Sequence, residues 1–203
     1  MTGVQTCALP IFEGTVHTTA GGTFYNAYDS KTTIQNGGKV IADGMIVNRY
    51  HYNADSGIYV YGDGDDSTVE VDCADTIGTY SGIFYAKDAA IQGDMLWIDY
   101  KKNSSEEADK YHQSLVYFED STVSITKEFR LYKDASLKLE GATVTAGKVQ
   151  IRQDATPAIN VDGDSTIKAA SVENLSGALM NAVLGADGTV SFVTFVEIGR
   201  AHV

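Results

Sequence analysis

The chain has 203 residues, 43% of them hydrophobic, with 27 acidic side chains against 15 basic ones and a formal net charge of -12. That balance disfavours nucleic acid as a partner and disfavours anionic membrane surfaces, since both select clustered Lys and Arg. No apolar run approaches the roughly 20 residues that a membrane helix needs.

In chain order the first segment is not a fold element. Residues 198–203 can be encoded by ATC GGA AGA GCA CAC GTC, and the reverse complement of that string, shifted by one base, reads Thr, Cys, Ala, Leu, Pro and the start of Ile. Those are residues 6–11. One short DNA cassette read in opposite senses therefore accounts for both ends, and it looks like a sequencing-library adapter. Residues 1–11 and 197–203 are expected to be translated adapter and 12–196 an internal fragment of a longer protein. Such segments are set aside before fold reasoning. The competing reading of residues 1–11, a signal-peptide stub, lacks a basic n-region and has too short an apolar run. Within 12–196 the net charge stays at -12, and Cys73 is the single cysteine. A lone cysteine supports neither a disulfide-stapled scaffold nor a cysteine zinc site. A signal peptide, an anchor or a membrane barrel beyond either end is compatible with this reading.

From residue 12 onward one texture recurs. Apolar residues alternate with polar ones in short runs: Val69 and Val71, Val123 and Ile125, Leu137 and Leu139, Val149 and Ile151, Ile159 and Val161. Period two predicts strands. Between the runs stand turn residues, as in Asn36-Gly37-Gly38, Tyr61-Gly62-Asp63-Gly64-Asp65-Asp66, Glu140-Gly141 and Asp162-Gly163-Asp164. Residues 104–113 read as a short polar helix on a loop excursion. Residues 172–184, small and apolar, read as a helix or a further strand pair.

The strands also repeat. Asp66-Ser67-Thr68-Val69, Asp120-Ser121-Thr122-Val123, Asp134-Ala135-Ser136-Leu137 and Asp164-Ser165-Thr166-Ile167 share one opening, while Ser56-Gly57-Ile58-Tyr59-Val60-Tyr61 and Ser81-Gly82-Ile83-Phe84-Tyr85-Ala86 share another, 25 residues apart. Gly22 and Gly38 open similar units 16 apart. A wandering period near roughly 20 to 29 residues fits solenoid coils with loops of unequal length. The expected fold is all-β, a right-handed parallel β-helix with Val, Ile and Leu inward and Thr, Ser, Lys and Asp outward. The alternative is a β-sandwich of the immunoglobulin type, disfavoured by the repeated strand openings and by the lack of a Trp-and-Cys core signature. A solenoid cut at both ends is expected to expose two open β-edges and to aggregate.

The turns Ala20-Gly21-Gly22-Thr23 and Asn36-Gly37-Gly38-Lys39, with Thr-rich and Val-rich strands between them and the later Asp-Ser-Thr-Val strands, resemble the degenerate repeats of bacterial autotransporter and related surface-adhesin passengers. The resemblance covers most of residues 14–170. It implies an exported, surface-attached, non-catalytic protein that binds host or neighbouring-cell components along its solenoid face. The irregular spacing and the many tyrosines depart from the tidiest members.

Chemistry in the sequence is thin. Asp63, Asp65 and Asp66 offer oxygen ligands to a hard cation such as calcium, but their spacing is not that of an EF-hand and no nonapeptide calcium repeat follows. A solvated acidic turn is the competing reading, here and at Asp162 and Asp164. Arg130 with Asp134 and Arg152 with Asp154 are the basic and acidic pairs on plausible strands. His17, His51 and His112 read as satisfied or exposed surface histidines. Tyr50, Tyr52, Tyr59 and Tyr61 form two i, i+2 pairs, so each pair is expected on one face of a strand, with Tyr80, Phe84, Tyr85, Trp97 and Tyr100 following. They are a candidate contact surface, or else aromatic cladding that stacks along the sheet.

The function expected is a non-enzymatic extracellular or bacterial cell-surface stalk or adhesin that binds carbohydrate or protein, with no cofactor. The alternatives are a fragment of a polysaccharide lyase or hydrolase and a calcium-stabilised secreted repeat.

Overall fold

The structure, a computed structural model, describes residues 4–6, 10–65, 67–99, 113–132, 135–152, 158–175, 177–178 and 180–194. A coil opens with β2 (Ile11–Phe12), β3 (Thr15–Thr18) and β4 (Phe24–Ala27), and the next with β5 (Lys31–Ile34), β6 (Lys39–Ala42) and β7 (Ile46–Arg49). From there each coil has one shorter and one longer strand: β8 (Gly57–Tyr61) with β9 (Val69–Thr79), β10 (Gly82–Lys87) with β11 (Ala90–Ile98), β12 (Ser114–Glu119) with β13 (Thr122–Leu131), β14 (Ser136–Glu140) with β15 (Thr143–Ile151), and β16 (Ala158–Val161) with β17 (Thr166–Asn174). β1 (Val4–Thr6) precedes them, and β18 (Met180–Leu184) and β19 (Val190–Thr194) follow.

Two parallel sheets result. One runs β16-β14-β12-β10-β8-β5-β2. The other runs β17-β15-β13-β11-β9 and then divides, the first half of β9 pairing with β6 and the second with β7. This is a β-solenoid of about six turns with no helix among the described residues. Rung-on-rung parallel pairing removes the sandwich alternative, whose sheets are antiparallel.

The pleat explains the burial. Inward columns run Ile58, Phe84, Val116, Leu137 and Ile34, Val60, Ala86, Phe118, Leu139 in the first sheet, and Val40, Val71, Ile91, Val123, Val144, Ile167 in the second. All are buried. Cys73 lies among them. Burial raises its thiol pKa to about 11, so it acts as a small hydrophobe whose Sγ donates to the Gly44 carbonyl at 3.2 Å.

Several repeats seen in the sequence differ from the true register. Gly57 pairs with Ile83, not with Gly82, so the two Ser-Gly-Ile runs are offset by one residue. Had they aligned, Phe84 and Ala86 would face out; the pleat instead sets Ile58 against Phe84, both buried. Gly22 and Gly38 sit in successive coils but at different corners, Gly22 before β4 beside Gly44, and Gly38 before β6 beside Gly14. Their turns do match: Ala20 with Gly21, and Asn36 with Gly37, are consecutive residues with positive φ, closed by the Gly22 N–H on the Thr19 carbonyl and the Gly38 N–H on the Gln35 carbonyl. Of the Asp-Ser-Thr openings, those at Thr122 and Thr166 share a column through Thr143, while the one at Asp134-Ala135-Ser136-Leu137 belongs to the other sheet.

The C-terminal end differs from the open edge expected. Within residues 172–184, 172–174 end β17 and Met180–Leu184 form β18, which makes an antiparallel hairpin with β19. The hairpin packs on β17, with Ala182 and Val190 in the core and the Ala169 N–H donating to the Gly188 carbonyl at 2.9 Å. Asn174 brackets Ala182, donating to its carbonyl at 2.9 Å and accepting from its N–H at 2.7 Å. At the other end β1, within the segment expected to be adapter, lies parallel to β4. An open edge offers unpaired backbone groups to any extended segment. The residues of the expected helix, 104–112, lie outside the described residues, as does His112.

The one-residue offset is testable. Phe84→Ala should destabilise the protein by about 3–5 kcal/mol, whereas Ile83→Ala, at a half-exposed position, should cost less than about 1 kcal/mol in denaturant unfolding. The reverse order would mean the Gly57-to-Gly82 register.

Candidate binding groove

The outer face of the longer-stranded sheet carries one continuous column: Tyr25 on β4, Val47 on β7, Gly78 on β9, Trp97 on β11 and Arg130 on β13. Two consecutive rungs here present small residues between two large aromatic ones. With strands spaced about 4.8 Å apart, Tyr25 and Trp97 stand about 14 Å apart as walls of a groove of about 520 Å³. Gly78 is required locally, because a Cβ there would come within 2.7 Å of the Tyr80 ring, which folds back over it. Arg49, Tyr50, Asp99 and Tyr132 also line it.

Arginines and rings interleave along this face. The Arg49 guanidinium sits 4.4 Å from the Tyr50 ring centre and 4.9 Å from that of Tyr25, and its Nε donates to the Tyr25 hydroxyl. Arg130 lies over Trp97 at 4.8 Å, and Arg152 over Tyr132 at 5.4 Å. Burial, and next the charge of Asp99, pushes the Tyr80 hydroxyl up to about 12, so it stays protonated and able to donate. The Trp97 Nε1–H is buried with no acceptor among the described residues.

The groove's rim is held in an uncommon backbone state. Tyr28, Asp29 and Tyr50 have φ of 55°, 61° and 64°, and left-handed conformations of non-glycine residues cost of order 1–3 kcal/mol each. Tyr28 and Tyr50 stack with centroids 5.5 Å apart. Asp29 Oδ1 accepts from the backbone N–H groups of Tyr52 at 2.6 Å and Asn53 at 2.9 Å, which fixes the loop after Tyr50.

Beneath the rim lies a buried polar cluster. Asn26 and Asn48 are register partners, both fully buried. Asn26 Oδ1 accepts from Ser30 Oγ at 2.7 Å and Thr32 Oγ1 at 2.8 Å, and its Nδ2 donates to Asn48 Oδ1 at 2.9 Å. His51 completes the cluster, its Nε2 2.7 Å from the same Asn48 oxygen, an acceptor that fixes the ring proton on Nε2. Its Nδ1 has no partner among the described residues, and burial lowers its pKa to about 4. His51 is thus a core residue rather than a surface one. His17, by contrast, is exposed and 3.0 Å from Asp43.

The four candidate tyrosines do not share a face. Tyr50 follows β7 in a left-handed turn and joins the groove; Tyr52 is an exposed loop residue. Tyr59 and Tyr61 share the outer face of β8 as expected, on the other sheet. There Tyr59, Tyr85 and Tyr117 stack on successive rungs, with Lys31 4.3 Å above the Tyr59 ring and Lys138 4.2 Å from that of Tyr117. Their hydroxyls are largely taken: Tyr85 donates to Glu119 at 2.6 Å, Tyr117 to Glu140, and Tyr59 to the Asp55 carbonyl at 2.8 Å. This ladder clads the solenoid.

The carboxylates are likewise used locally. Asp63 Oδ1 accepts from the Asp65 N–H at 3.0 Å, and Asp65 Oδ1 from the Ser67 N–H at 2.9 Å, the bonds of capped turns. Asp162 does the same for Ser165, at 2.8 Å. Asp66, Asp134 and Asp154 lie outside the described residues. Among the described residues Arg130 pairs with Glu128 at 2.6 Å, and Arg152 donates to Gln150 at 3.3 Å. Sequence reasoning noticed Trp97 and Tyr80 but not their union with Tyr25, Arg49 and Tyr132, because these come from different coils.

Compared with known proteins, the chain matches no family model, no curated protein and no solved structure.

The polar cluster predicts a pH dependence. His51 has a folded-state pKa of about 4 against 6.5 unfolded, so its contribution is complete above pH 6.5 and declines as pH falls toward 4. Its share of the loss should reach about 2 kcal/mol at pH 5. Unfolding free energies measured from pH 7 to pH 5 should fall more steeply for the wild type than for His51→Gln; equal slopes would contradict the buried neutral imidazole.

Proposed function

We propose that the chain is a non-enzymatic solenoid segment of an extracellular or bacterial cell-surface protein, adhesin-like in its role, which holds carbohydrate in the groove between Tyr25 and Trp97. The observation that carries this reading is the spacing of two aromatic walls across two rungs of small residues. Sugar rings present apolar C–H faces that lie against aromatic rings, and their hydroxyls suit the Tyr and Arg donors around them. The rim is fixed before any ligand arrives, which reduces the ordering cost of binding. Glycoside chemistry ordinarily needs two carboxylates flanking the scissile bond. Of the described groove-lining residues, Asp99 alone carries one. The acidic composition and the Gly-turned repeats support an exported setting.

Trp97→Ala should weaken glycan binding by about 10- to 100-fold, the effect of losing a central aromatic anchor, with an unchanged circular dichroism spectrum. Titration calorimetry against a panel of oligosaccharides reads this directly. Release of shortened saccharides on prolonged incubation would overturn the non-catalytic part of the proposal.

A further inference from the structure

Arg49 is placed unlike half of the basic residues described. Lys87, Lys127, Arg130, Lys138 and Lys148 each sit within 2.5–2.8 Å of a carboxylate, those of Glu119, Asp94, Glu128, Glu140 and Glu173. Arg49 has no carboxylate partner among the described residues: its neighbours are the two rings of Tyr25 and Tyr50 and the Tyr25 hydroxyl. In a chain of net charge -12, an arginine left without an acid yet held rigid between two aromatic rings is conspicuous. Both ring centres lie within 4.9 Å of the guanidinium, and among the described residues only its Nε is committed, which leaves the terminal N–H groups for a planar, bidentate acceptor. The strained φ of Tyr50, next in sequence, is part of what holds this arrangement.

We infer that the groove takes an acidic saccharide, with a hexuronate carboxylate paired to Arg49 and its sugar rings lying over Val47 and Tyr80 between Tyr25 and Trp97. This rests on the carbohydrate reading above and narrows its ligand class. The charges along the face set the polarity. Glu128 neutralises Arg130, so the anionic group belongs at the Arg49 end. The Arg49 charge also opposes the sign of the molecule as a whole, so an anionic chain that binds does so through this locus rather than by general attraction.

The test is calorimetric titration of the whole chain with a tetrauronate and with its fully methyl-esterified counterpart, which keeps the shape and removes the charge. The acid form should bind at least tenfold tighter than the ester. That preference should weaken with added salt and vanish in Arg49→Gln, and Arg49→Lys should restore part of it. Equal affinity of the two forms in the wild type, or an undiminished preference in a folded Arg49→Gln, would overturn the assignment. If neutral oligosaccharides bind and neither uronate does, the acidic class falls while the carbohydrate reading stands. Binding of no saccharide at all would remove both.

Discussion

An aliphatic side chain on every second position of a short parallel strand cannot be shielded by its own coil, because the coil has one residue of each column and no partner for it. Burial comes only from the same column one rung above and below. Val123 is covered by Ile91 and Val144, and Leu137 by Val116 and Ile159. Every other property follows from that constraint. Loops can vary in length, since only the inward columns must keep register, and the outer faces are free to carry chemistry.

The groove is built by the same rule applied in reverse. Outward columns bear no packing duty, so a run of small residues there opens a trough as long as the run. Val47 and Gly78 are two such rungs, closed at the ends by Tyr25 and Trp97. On the opposite sheet the outward column holds Tyr59, Tyr85 and Tyr117 without a gap, the rings cover one another, and no trough forms. The same residue type therefore makes a recess on one sheet and cladding on the other, and the rung sequence decides which.

This also explains what the sequence made legible. Period two and glycine-reset turns announce stacked strands, because both are local. Register is not local. It is set by which residues bury well at sequence separations of 19 to 33, as between Ile77 and Leu96 or Leu96 and Phe129, and superficial identity misleads: the two Ser-Gly-Ile runs align by eye yet stack one residue out of step. The groove inherits that difficulty, since Tyr25, Val47, Gly78 and Trp97 become neighbours only after the coils are registered. Tyr50 illustrates the second difficulty. Its i, i+2 relation to Tyr52 holds meaning only inside a strand, and the strand ends at Arg49.

One inward column shows how core and groove are linked. From β4 onward it runs Asn26, Asn48, Thr79 and continues Ile98, Leu131, Ile151 before ending at Asn174. The polar rungs lie in the part of the solenoid that bears the left-handed rim, and the apolar ones where the outer face is regular. Three aliphatic residues in place of Asn26, Asn48 and Thr79 would bury as well, but they would give His51 no acceptor. The Asn48 side chain would also no longer reach across to the Ile83 carbonyl at 2.9 Å. The loop from Tyr50 to Ser56 would lose its anchor, and Tyr50 could relax out of its left-handed state. A satisfied buried polar network is worth keeping where it specifies one conformation, and here the conformation specified is the one that holds Arg49 between its two rings. In this column the buried polar rungs, the terminal Asn174 apart, are thus those whose outer surface has something to position.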